Sequence, residues 1–369
     1  MIEEKEMFFL KKRLDRSGMI LIVVMWILII LSLLAIGLGR RTSIDLKMTK
    51  HALGKLRAKY TAQAGLVFAL EQVKRDNENA ETKLFDNLRQ CGFGLIEGES
   101  REDVFKSVKV GEGFFNIGKE DNDTVGKENG EYGFSDEERK ININALDQNN
   151  YTVLQYLMME LGYEEGLAQS IAASVVDWRD GDDTVFEDAS SLGVSGAESD
   201  YYDSLDPPYF CKNTPFDSIT EIRHVKNVTK EIFADIKKYI TIFPKSGKFL
   251  VNLDTASEKV LLALAKHYTG NKTKTNIYDA ESLVEKMLAY REGYDNEEGT
   301  EDDRLLEINE MALNVKEKVL FLMMKGDQTK VSRYIRFFIT GVDEKTSISS
   351  KIDAIIHRDD LTIVYWARR

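Results

Sequence analysis

The chain has 369 residues, of which 43% are hydrophobic and 30% are charged, and its formal net charge is −12 at pH 7. This length is typical of two or three domains, and the composition is that of a globular body. An acidic chain is a poor candidate for a nucleic-acid carrier, because phosphate binding depends on basic surface. The charge balance favours a divalent cation or a basic protein as a partner.

A long apolar helix is the first element that the sequence predicts. Twenty uncharged residues, Met19 to Leu38, follow a charged leader that ends in Arg16-Ser17-Gly18. About 20 apolar residues span a bilayer, so residues 19–38 are predicted to cross a membrane once. A glycine directly before the apolar residues is typical of prepilin-peptidase cleavage, here between Gly18 and Met19. The alternatives are an uncleaved anchor and an ordinary secretory signal, for which Ala35-Ile36-Gly37 is a poor cleavage site.

Beyond the predicted span, apolar residues continue to recur at three- and four-residue steps. They form one stripe along a helix: Leu53, Leu56, Tyr60, Ala64, Val67 and Leu70. No proline occurs before Pro207, so the pattern predicts one helix from Met19 to about Asp76. The second half of such a helix is not stable alone in water, and we expect the stripe to pack against a sheet or another helix.

Strand patterns occupy two distant parts of the chain. They cover residues 104–110 and 114–117 around the turn Gly111-Glu112-Gly113, and then residues 334–339, 350–357 and 361–366. Mostly helical sequence separates the two groups, which favours one α+β domain with an inserted helical region. The predicted segments are a leader at 1–18, a membrane part at 19–38, a stalk helix with the first strands at 39–145, an insertion at 146–330 and the last strands at 331–369.

The insertion contains an internal repeat. The segment Ile141-Asn142-Ile143-Asn144-Ala145 is similar to the segment that begins Val251-Asn252-Leu253-Asp254, and each precedes a helical pattern. Val176-Asp177-Trp178-Arg179-Asp180-Gly181 is similar to Leu288-Ala289-Tyr290-Arg291-Glu292-Gly293 at nearly the same offset, about 110 residues. Duplication of a small helical unit is therefore predicted, with units at about 146–245 and 251–330. Residues 217–233 predict two short helices joined by a turn, with Thr229 as an N-cap.

Taken in order, these segments resemble the minor pseudopilin K family of type II secretion systems, also called general secretion pathway protein K. Further segments that carry the resemblance are Gly196-Ala197-Glu198, Tyr201-Tyr202, Leu205-Asp206-Pro207-Pro208-Tyr209, Thr220-Glu221-Ile222-Arg223 and Val364-Tyr365-Trp366. The resemblance covers nearly the whole length after the leader. It implies a pilin-like fold, with a long N-terminal helix packed on a small antiparallel sheet and a large helical insertion of two SAM/helix-hairpin-helix-like units.

The resemblance also implies a function without catalysis. A minor pseudopilin at the pseudopilus tip would nucleate assembly and support export of folded proteins across the outer membrane. The implied partners are the I- and J-type minor pseudopilins, the major pseudopilin, the prepilin peptidase, and the secretion channel or cargo, with no nucleic acid. The chain would cross the inner membrane once, with its C-terminal body in the periplasm and with Met19 methylated after cleavage.

Val23 occupies the fifth position after the predicted cleavage site. Most pilin-like subunits carry glutamate there, where it pairs with the N-terminal amine of a neighbour. A subunit with no neighbour above it loses nothing by lacking that charge, which is costly inside a membrane. The simpler interpretation is that Val23 is one more lipid-facing residue.

An acidic loop is the strongest candidate site in the sequence. Ten acidic residues and a single basic residue, Arg179, lie between Asp177 and Asp206. Carboxylates this close repel one another unless a cation or solvent intervenes, and calcium takes six to eight oxygen ligands. The spacing is not that of an EF-hand, and a solvated acidic loop is the alternative. The resemblance implies calcium in this loop and carries over to these residues: Asp180, Asp182, Glu198 and Asp200, then Asp183 and Glu187. A second acidic run at 295–303 is predicted to be a flexible surface loop.

No pattern in the sequence supports an enzyme. The four histidines lack zinc-binding spacing, and residues 193–197 lack the final glycine of a nucleophile elbow. The second candidate function is a membrane-anchored helix-hairpin-helix protein that binds or takes up DNA. Its hairpin would need glycines near phosphate, whereas this turn reads Val225-Lys226-Asn227-Val228. Cys91 and Cys211 permit one disulfide but are equally compatible with free thiols.

Overall fold

A computed structural model of the chain describes residues 2–80, 82–86, 104–118, 132–187, 195–270, 273–296, 298, 300 and 302–368, with the backbone alone for residues 2–18. The helices are α1 Ile2–Glu78, α2 Thr152–Glu160, α3 Glu165–Arg179, α4 Ser199–Asp203, α5 Lys230–Ile236, α6 Glu258–His267, α7 Ile277–Arg291 and α8 Val315–Lys325. The strands are β1 Val108–Val110, β2 Gly113–Gly118, β3 Ser135–Asp136, β4 Ile141–Asn142, β5 Ile240–Thr241, β6 Tyr334–Asp343, β7 Ser349–His357 and β8 Ile363–Arg368. Short 3-10 helices cover Thr82–Leu84, Ile143–Ala145 and Ile219–His224.

Helix α1 is a single uninterrupted helix of 77 residues, about 115 Å long at 1.5 Å per residue. It passes through the predicted cleavage site at Gly18 and Met19 without a break, and the predicted helix from Met19 to about Asp76 is confirmed. By length and composition, its apolar part is able to cross a membrane, and no described residue covers that part. The long helix thus combines an apolar segment, residues 19–38, with a stalk from residue 39 to Glu78.

The stalk half of α1 packs on one face of an antiparallel sheet with the strand order β1-β2-β6-β7-β8. Successive side chains of a strand face opposite sides. Ile335, Phe337 and Ile339 of β6 are therefore buried in the core shared with α1, while Arg336 faces away. The predicted α+β class, with a long helix on an antiparallel sheet, is confirmed.

Two predicted strand boundaries are wrong. Residues 104–107 are not extended: Val104 and Phe105 lie in a helical turn, and the strand begins at Val108. The turn buries Phe105 against Phe134, with ring centroids 5.0 Å apart. The last strand begins at Ile363 rather than residue 361, because the side chain of Asp360 accepts hydrogen bonds from Thr362 and forms a turn there. Residues 119–131 of the loop predicted after Gly118 lie outside the described residues.

The face of α1 that meets the sheet is not the predicted one. Small residues are buried there: Gly54, Ala58, Ala62, Gly65 and Ala69. Four residues of the predicted stripe are instead exposed: Leu53 (46%), Leu56 (47%), Tyr60 (60%) and Val67 (67%). Strand β6 comes so close that a Cβ atom on Gly341 would lie 2.3 Å from the amide nitrogen of Ala62. Leucine side chains would hold the two backbones apart, so the large apolar residues are left on the opposite side of the helix.

The insertion leaves the sheet after β3 and rejoins it at β6, and these two strands are paired, with Asp136 opposite Ile335. Its helices enclose a second hydrophobic core. That core includes Ile355, whose side chain points away from α1, and the rings of Phe243 and Tyr334 stack with centroids 5.2 Å apart. The insertion therefore docks on the side of the sheet opposite to α1.

The two halves of the insertion repeat one set of polar contacts. The guanidinium of Arg179 donates to the carbonyl oxygen of Leu146 (2.5 Å), and that of Arg291 donates to the carbonyl oxygen of Ala256 (2.7 Å). The arginine and the carbonyl of the second pair each lie about 110 residues after their counterparts in the first pair, the same offset as in the sequence repeat. An arginine at the end of the second α-helix thus fixes the first turn in each unit.

Each repeat also begins with the same turn. The side-chain oxygen of Asn142 accepts a hydrogen bond from the amide of Asn144 (2.9 Å), and that of Asn252 accepts one from the amide of Asp254 (3.1 Å). All four residues are buried. Asparagine is suited to this position because its side-chain oxygen can accept a hydrogen bond from the backbone amide two residues later, as a backbone carbonyl does in a turn.

Two local features complete the first unit. The short helices predicted over 217–233 are the 3-10 helix Ile219–His224 and α5, and the predicted N-cap is confirmed because Thr229 accepts a hydrogen bond from the amide of Ile232 (3.3 Å). The parallel pair β4–β5, with Ile141 opposite Ile240, was not predicted. It joins the beginning of the unit to its end.

Candidate metal centre and assembly surface

The acidic loop begins where α3 ends. Asp177 lies in the last turn of the helix and is fully buried, and Asp180 caps the helix with an extended backbone. The chain then turns back, and a β-bridge between Glu187 and Ser195 brings Glu198 beside the helix end. Residues 188–194 lie outside the described residues.

Asp177 holds the two arms of this loop together. One carboxylate oxygen, Oδ1, accepts a hydrogen bond from the amide of Phe186 on the outgoing arm (3.1 Å). The other oxygen, Oδ2, lies against Gly196 on the returning arm, where a Cβ atom would be only 1.9 Å away. Glycine is therefore required at position 196, because any side chain would displace the carboxylate.

Three acidic side chains converge at this point. Oxygen atoms of Asp180, Asp182 and Glu198 lie within 4.8 Å of one another. Glu198 is 2% exposed, and within the described part of the chain neither of its carboxylate oxygens has a hydrogen-bond partner. The same holds for Oδ1 of Asp180 and Oδ2 of Asp177. Buried carboxylate oxygens without partners are costly, and a hard cation with several oxygen ligands would satisfy all of them. The residues present fit calcium.

The electrostatics of the cluster point the same way. Burial raises the pKa of Glu198 to about 7, and the nearby charges of Asp177 and Asp180 act in the same direction. Burial also raises the pKa of Asp177 to about 7. Arg179 offsets only part of this effect: its charge lowers the pKa of Asp180, but burial still raises that pKa, and its guanidinium points into the scaffold toward Leu146. Carboxylates in this position either keep their protons or attract a cation.

The structure brings together three of the six ligands that the sequence suggests, Asp180, Asp182 and Glu198. Asp183 lies beside them and accepts hydrogen bonds from Asn213 (3.1 Å) and Ser199 (3.4 Å). The other two, Asp200 and Glu187, are exposed and lie outside the cluster.

Asp177 was not predicted as part of the site. The signal that could have found it is its place next to Trp178 in an apolar helical run, since a buried charge needs a partner. Cys211 lies on the other side, with its sulfur 3.6 Å from the carbonyl oxygen of Asp177, and burial raises the pKa of its thiol to about 12. Cys91, the other half of the suggested disulfide, lies outside the described residues.

A second candidate surface lies on α1. We call the exposed residues Leu53, Leu56, Tyr60 and Val67 the outward face of the helix. They recur at three, four and seven residues, so they form one stripe. The stripe continues the membrane part, where Val23 is exposed like its neighbours. Packing within the described body does not explain this exposed stripe, because none of the four side chains is buried there.

Comparison with known proteins finds relatives that share one description. The model of type II secretion system (T2SS) protein K matches residues 139–245, which include the acidic loop. The type II secretion system protein K of Aeromonas hydrophila is 25% identical over 275 residues, covering 73% of this chain and 75% of the relative. That of Pectobacterium carotovorum subsp. carotovorum is 24% identical over 262 residues, covering 67% and 68%. This chain is therefore similar to type II secretion system protein K.

A solved structure has the same fold as this chain. One chain of the crystal structure of the GspK-GspI-GspJ complex from the enterotoxigenic Escherichia coli type 2 secretion system superposes with a TM-score of 0.58. The match covers 87% of this chain and 99% of that chain at 15% identity. Nothing in these comparisons supports the DNA-uptake alternative.

Proposed function

We propose that this chain is a minor pseudopilin of a type II secretion system, anchored in the inner membrane by α1 with its body in the periplasm. Its work is structural rather than catalytic. It nucleates the pseudopilus from the tip, together with I- and J-type minor pseudopilins and the major pseudopilin, and so supports protein export. The observation that carries this proposal is the outward face of α1.

Large apolar residues on an exposed helix face are a contact surface for other helices. Covering the four side chains of the outward face contributes roughly 1.5–3 kcal/mol each in water before the costs of association. The insertion lies on the far side of the sheet, so neighbouring helices can pack on α1 without meeting it. The insertion is then free to cover the end of the filament, where contact with the secretion channel or cargo takes place.

The assembly proposal is tested by placing charge on the outward face. Leu56→Lys combined with Tyr60→Lys leaves the sheet face of α1 intact, and we expect loss of co-isolation with the I- and J-type pseudopilins and loss of secretion of a reporter protein. The matched control is Leu322→Lys with Tyr278→Lys, since both residues are exposed on the insertion. Normal assembly and secretion by the α1 variant, present at the wild-type level, would refute the proposal.

Processing at Gly18 and Met19 is a separate part of the proposal. Prepilin-peptidase cleavage predicts a mature protein that begins at methylated Met19, and mass spectrometry of the membrane-extracted N-terminus measures this directly. An intact leader, in cells that process other pilin-like proteins, would mean that α1 is a plain anchor.

We also propose that calcium binds in the acidic loop. Asp180, Asp182 and Glu198 are the ligands that the geometry supports best, and Asp183 lies beside them. The ion would neutralise the buried carboxylates and stiffen residues 177–206. Calcium should therefore raise the melting temperature more than magnesium does, because magnesium demands a stricter geometry. Identical melting curves in calcium and in chelator would contradict the proposal.

A further inference from the structure

The second helical unit carries an open groove between α6 and α7, with a volume of about 420 Å³. Its floor is apolar and consists of Leu262, Val284 and Leu288. Its rim carries four glutamates: Glu258, Glu281, Glu285 and Glu292. The packing of α6 on α7 does not explain why acidic residues surround an apolar floor. The proposed calcium site lies in the first unit and does not explain it either.

Most of the rim charge is not compensated. Lys266 forms an ion pair with Glu281 (2.7 Å). Within the described part of the chain, Glu258, Glu285 and Glu292 form no ion pair, and the other lysines of these two helices are directed elsewhere. Burial raises the pKa of Glu292, and the charge of Glu298 adds to this effect. The groove therefore presents negative potential around a surface that water solvates poorly.

We propose that this groove binds a basic amphipathic helix of a partner protein. Apolar side chains of the partner enter the floor, and its lysine or arginine side chains pair with the free glutamates of the rim. This is the helix-in-groove mode of recognition, with charge complementarity setting the choice of partner. An acidic or neutral helix gains nothing from the rim, and a small cation does not use the apolar floor.

The spacing of the rim fixes the size of the occupant. Glu281, Glu285 and Glu292 lie on one side of α7 over eleven residues, or about 16 Å. The groove thus accommodates about three helical turns. It lies in the second unit and away from α1, so it operates whether or not the outward face of α1 binds other pseudopilins.

A designed peptide tests this inference on the full chain in nanodiscs of zwitterionic lipid. The probe is a fluorescein-labelled helix of about 14 residues with leucine on one face and lysine on the other, and the comparison peptide carries glutamate in place of lysine. Fluorescence anisotropy measures binding in excess of empty nanodiscs. We expect the lysine peptide to bind, with an affinity that falls as salt rises, and the glutamate peptide not to bind.

Two variants separate the groove from the general acidity of the protein. Glu258→Lys with Glu285→Lys should weaken binding of the lysine peptide by about tenfold or more. The matched control, Glu164→Lys with Asp203→Lys, reverses two exposed acids of the first unit and should change binding less than about twofold. Ala289→Trp, which fills the groove without changing charge, should also weaken binding. Equal losses in the two charge-reversed variants, or binding unaffected by Ala289→Trp, would overturn the proposal.

Discussion

The two helical units of the insertion share a scaffold but treat their acidic loops differently. In the first unit, Arg179 donates to the carbonyl of Leu146, and among the described residues Oδ1 of Asp180 and both carboxylate oxygens of Glu198 have no hydrogen-bond partner. In the second unit, Arg291 donates to the equivalent carbonyl of Ala256 and also pairs with Glu298 at 2.6 Å. The second loop thus contains its own cation, and under our proposal a calcium ion serves the first loop.

The second loop is also closed by its own hydrogen bonds. Asp302 accepts hydrogen bonds from the amides of Tyr294 and Asp295 and from the hydroxyl of Thr300 (2.8 Å). The described part of the run at 295–303, predicted as a flexible loop, therefore folds around one carboxylate. The two units therefore share the arginine and the helices and differ in the residues that follow.

Removing the two arginines should give the largest effect. Arg291 is almost fully buried, so Arg291→Met leaves carbonyl groups and Glu298 without a donor, and we expect a loss of about 3–5 kcal/mol in the free energy of unfolding. Arg179 is only half-buried, and Arg179→Met should cost about 1–3 kcal/mol. Denaturant unfolding of each full-chain variant measures both. Equal losses would show that burial and the pair with Glu298 add nothing.

Calcium should stabilise the first loop and not the second, and we expect this effect to be of intermediate size. A ligand at a hundred times its Kd stabilises a protein by about 2.7 kcal/mol, which would appear as a calcium-dependent rise in Tm. Asp180→Ala with Asp182→Ala should abolish this rise, whereas Asp302→Ala should lower Tm equally with calcium and with chelator. If the first variant loses as much stability in chelator as in calcium, the cluster serves packing and not ion binding.

Two neighbouring buried carboxylates, Glu137 and Glu138, lie where the insertion leaves the sheet, and only Glu137 is paired with basic side chains that the structure describes. Burial alone would raise the pKa of Glu137, but Lys140 (2.8 Å) and Arg336 (3.5 Å) hold it at about 2. The next residue, Glu138, accepts hydrogen bonds from backbone amides such as that of Arg333 (2.6 Å). Burial, together with the charge of Asp136, raises its pKa to about 8.

These neighbours should therefore differ in their pH dependence, which is the smallest effect we predict. Glu138 binds its proton more tightly in the folded protein than at its ordinary pKa of 4.5, so its contribution to stability is present below pH 4.5 and is lost as the pH rises through about 8. Lowering the pH from 8 to 6 should stabilise the protein, and Glu138 should contribute about 1 kcal/mol per pH unit to this slope.

The two substitutions provide the check on this pH effect. Glu138→Gln should reduce the slope of stability against pH between 6 and 8. Glu137→Gln should leave it unchanged, because the contribution of Glu137 is present above pH 4.5 and is lost only toward pH 2. Unfolding curves at pH 6, 7 and 8 measure both slopes. A slope that persists in Glu138→Gln would assign the pH dependence to other groups.

Local patterns were sufficient to predict some elements and insufficient for others. The length of α1 and the existence of the strands follow from periodicity within each segment. Periodicity does not say which face of α1 meets the sheet, because that depends on how closely Gly341 approaches Ala62. The β4–β5 pair joins residues about 100 positions apart, and no pattern of two residues can predict it.

The candidate site divides in the same way. Asp180, Asp182 and Glu198 are identifiable because acidic residues are dense in that part of the sequence. Asp177 belongs with them only through three-dimensional contacts with Phe186 and Gly196. Density of charge therefore locates the loop, while burial and the return of the chain determine which side chains meet.

The pairing of β3 with β6 has a consequence for the history of this protein. Asp136 and Ile335 face each other across one strand spacing, about 5 Å. A short hairpin turn is enough to join these positions, so an ancestor without the insertion would have had a complete sheet. The helical region could then be gained, lost or exchanged in one genetic event at a hairpin tip. Such an exchange would replace the inserted helices and leave the long helix and its sheet unchanged.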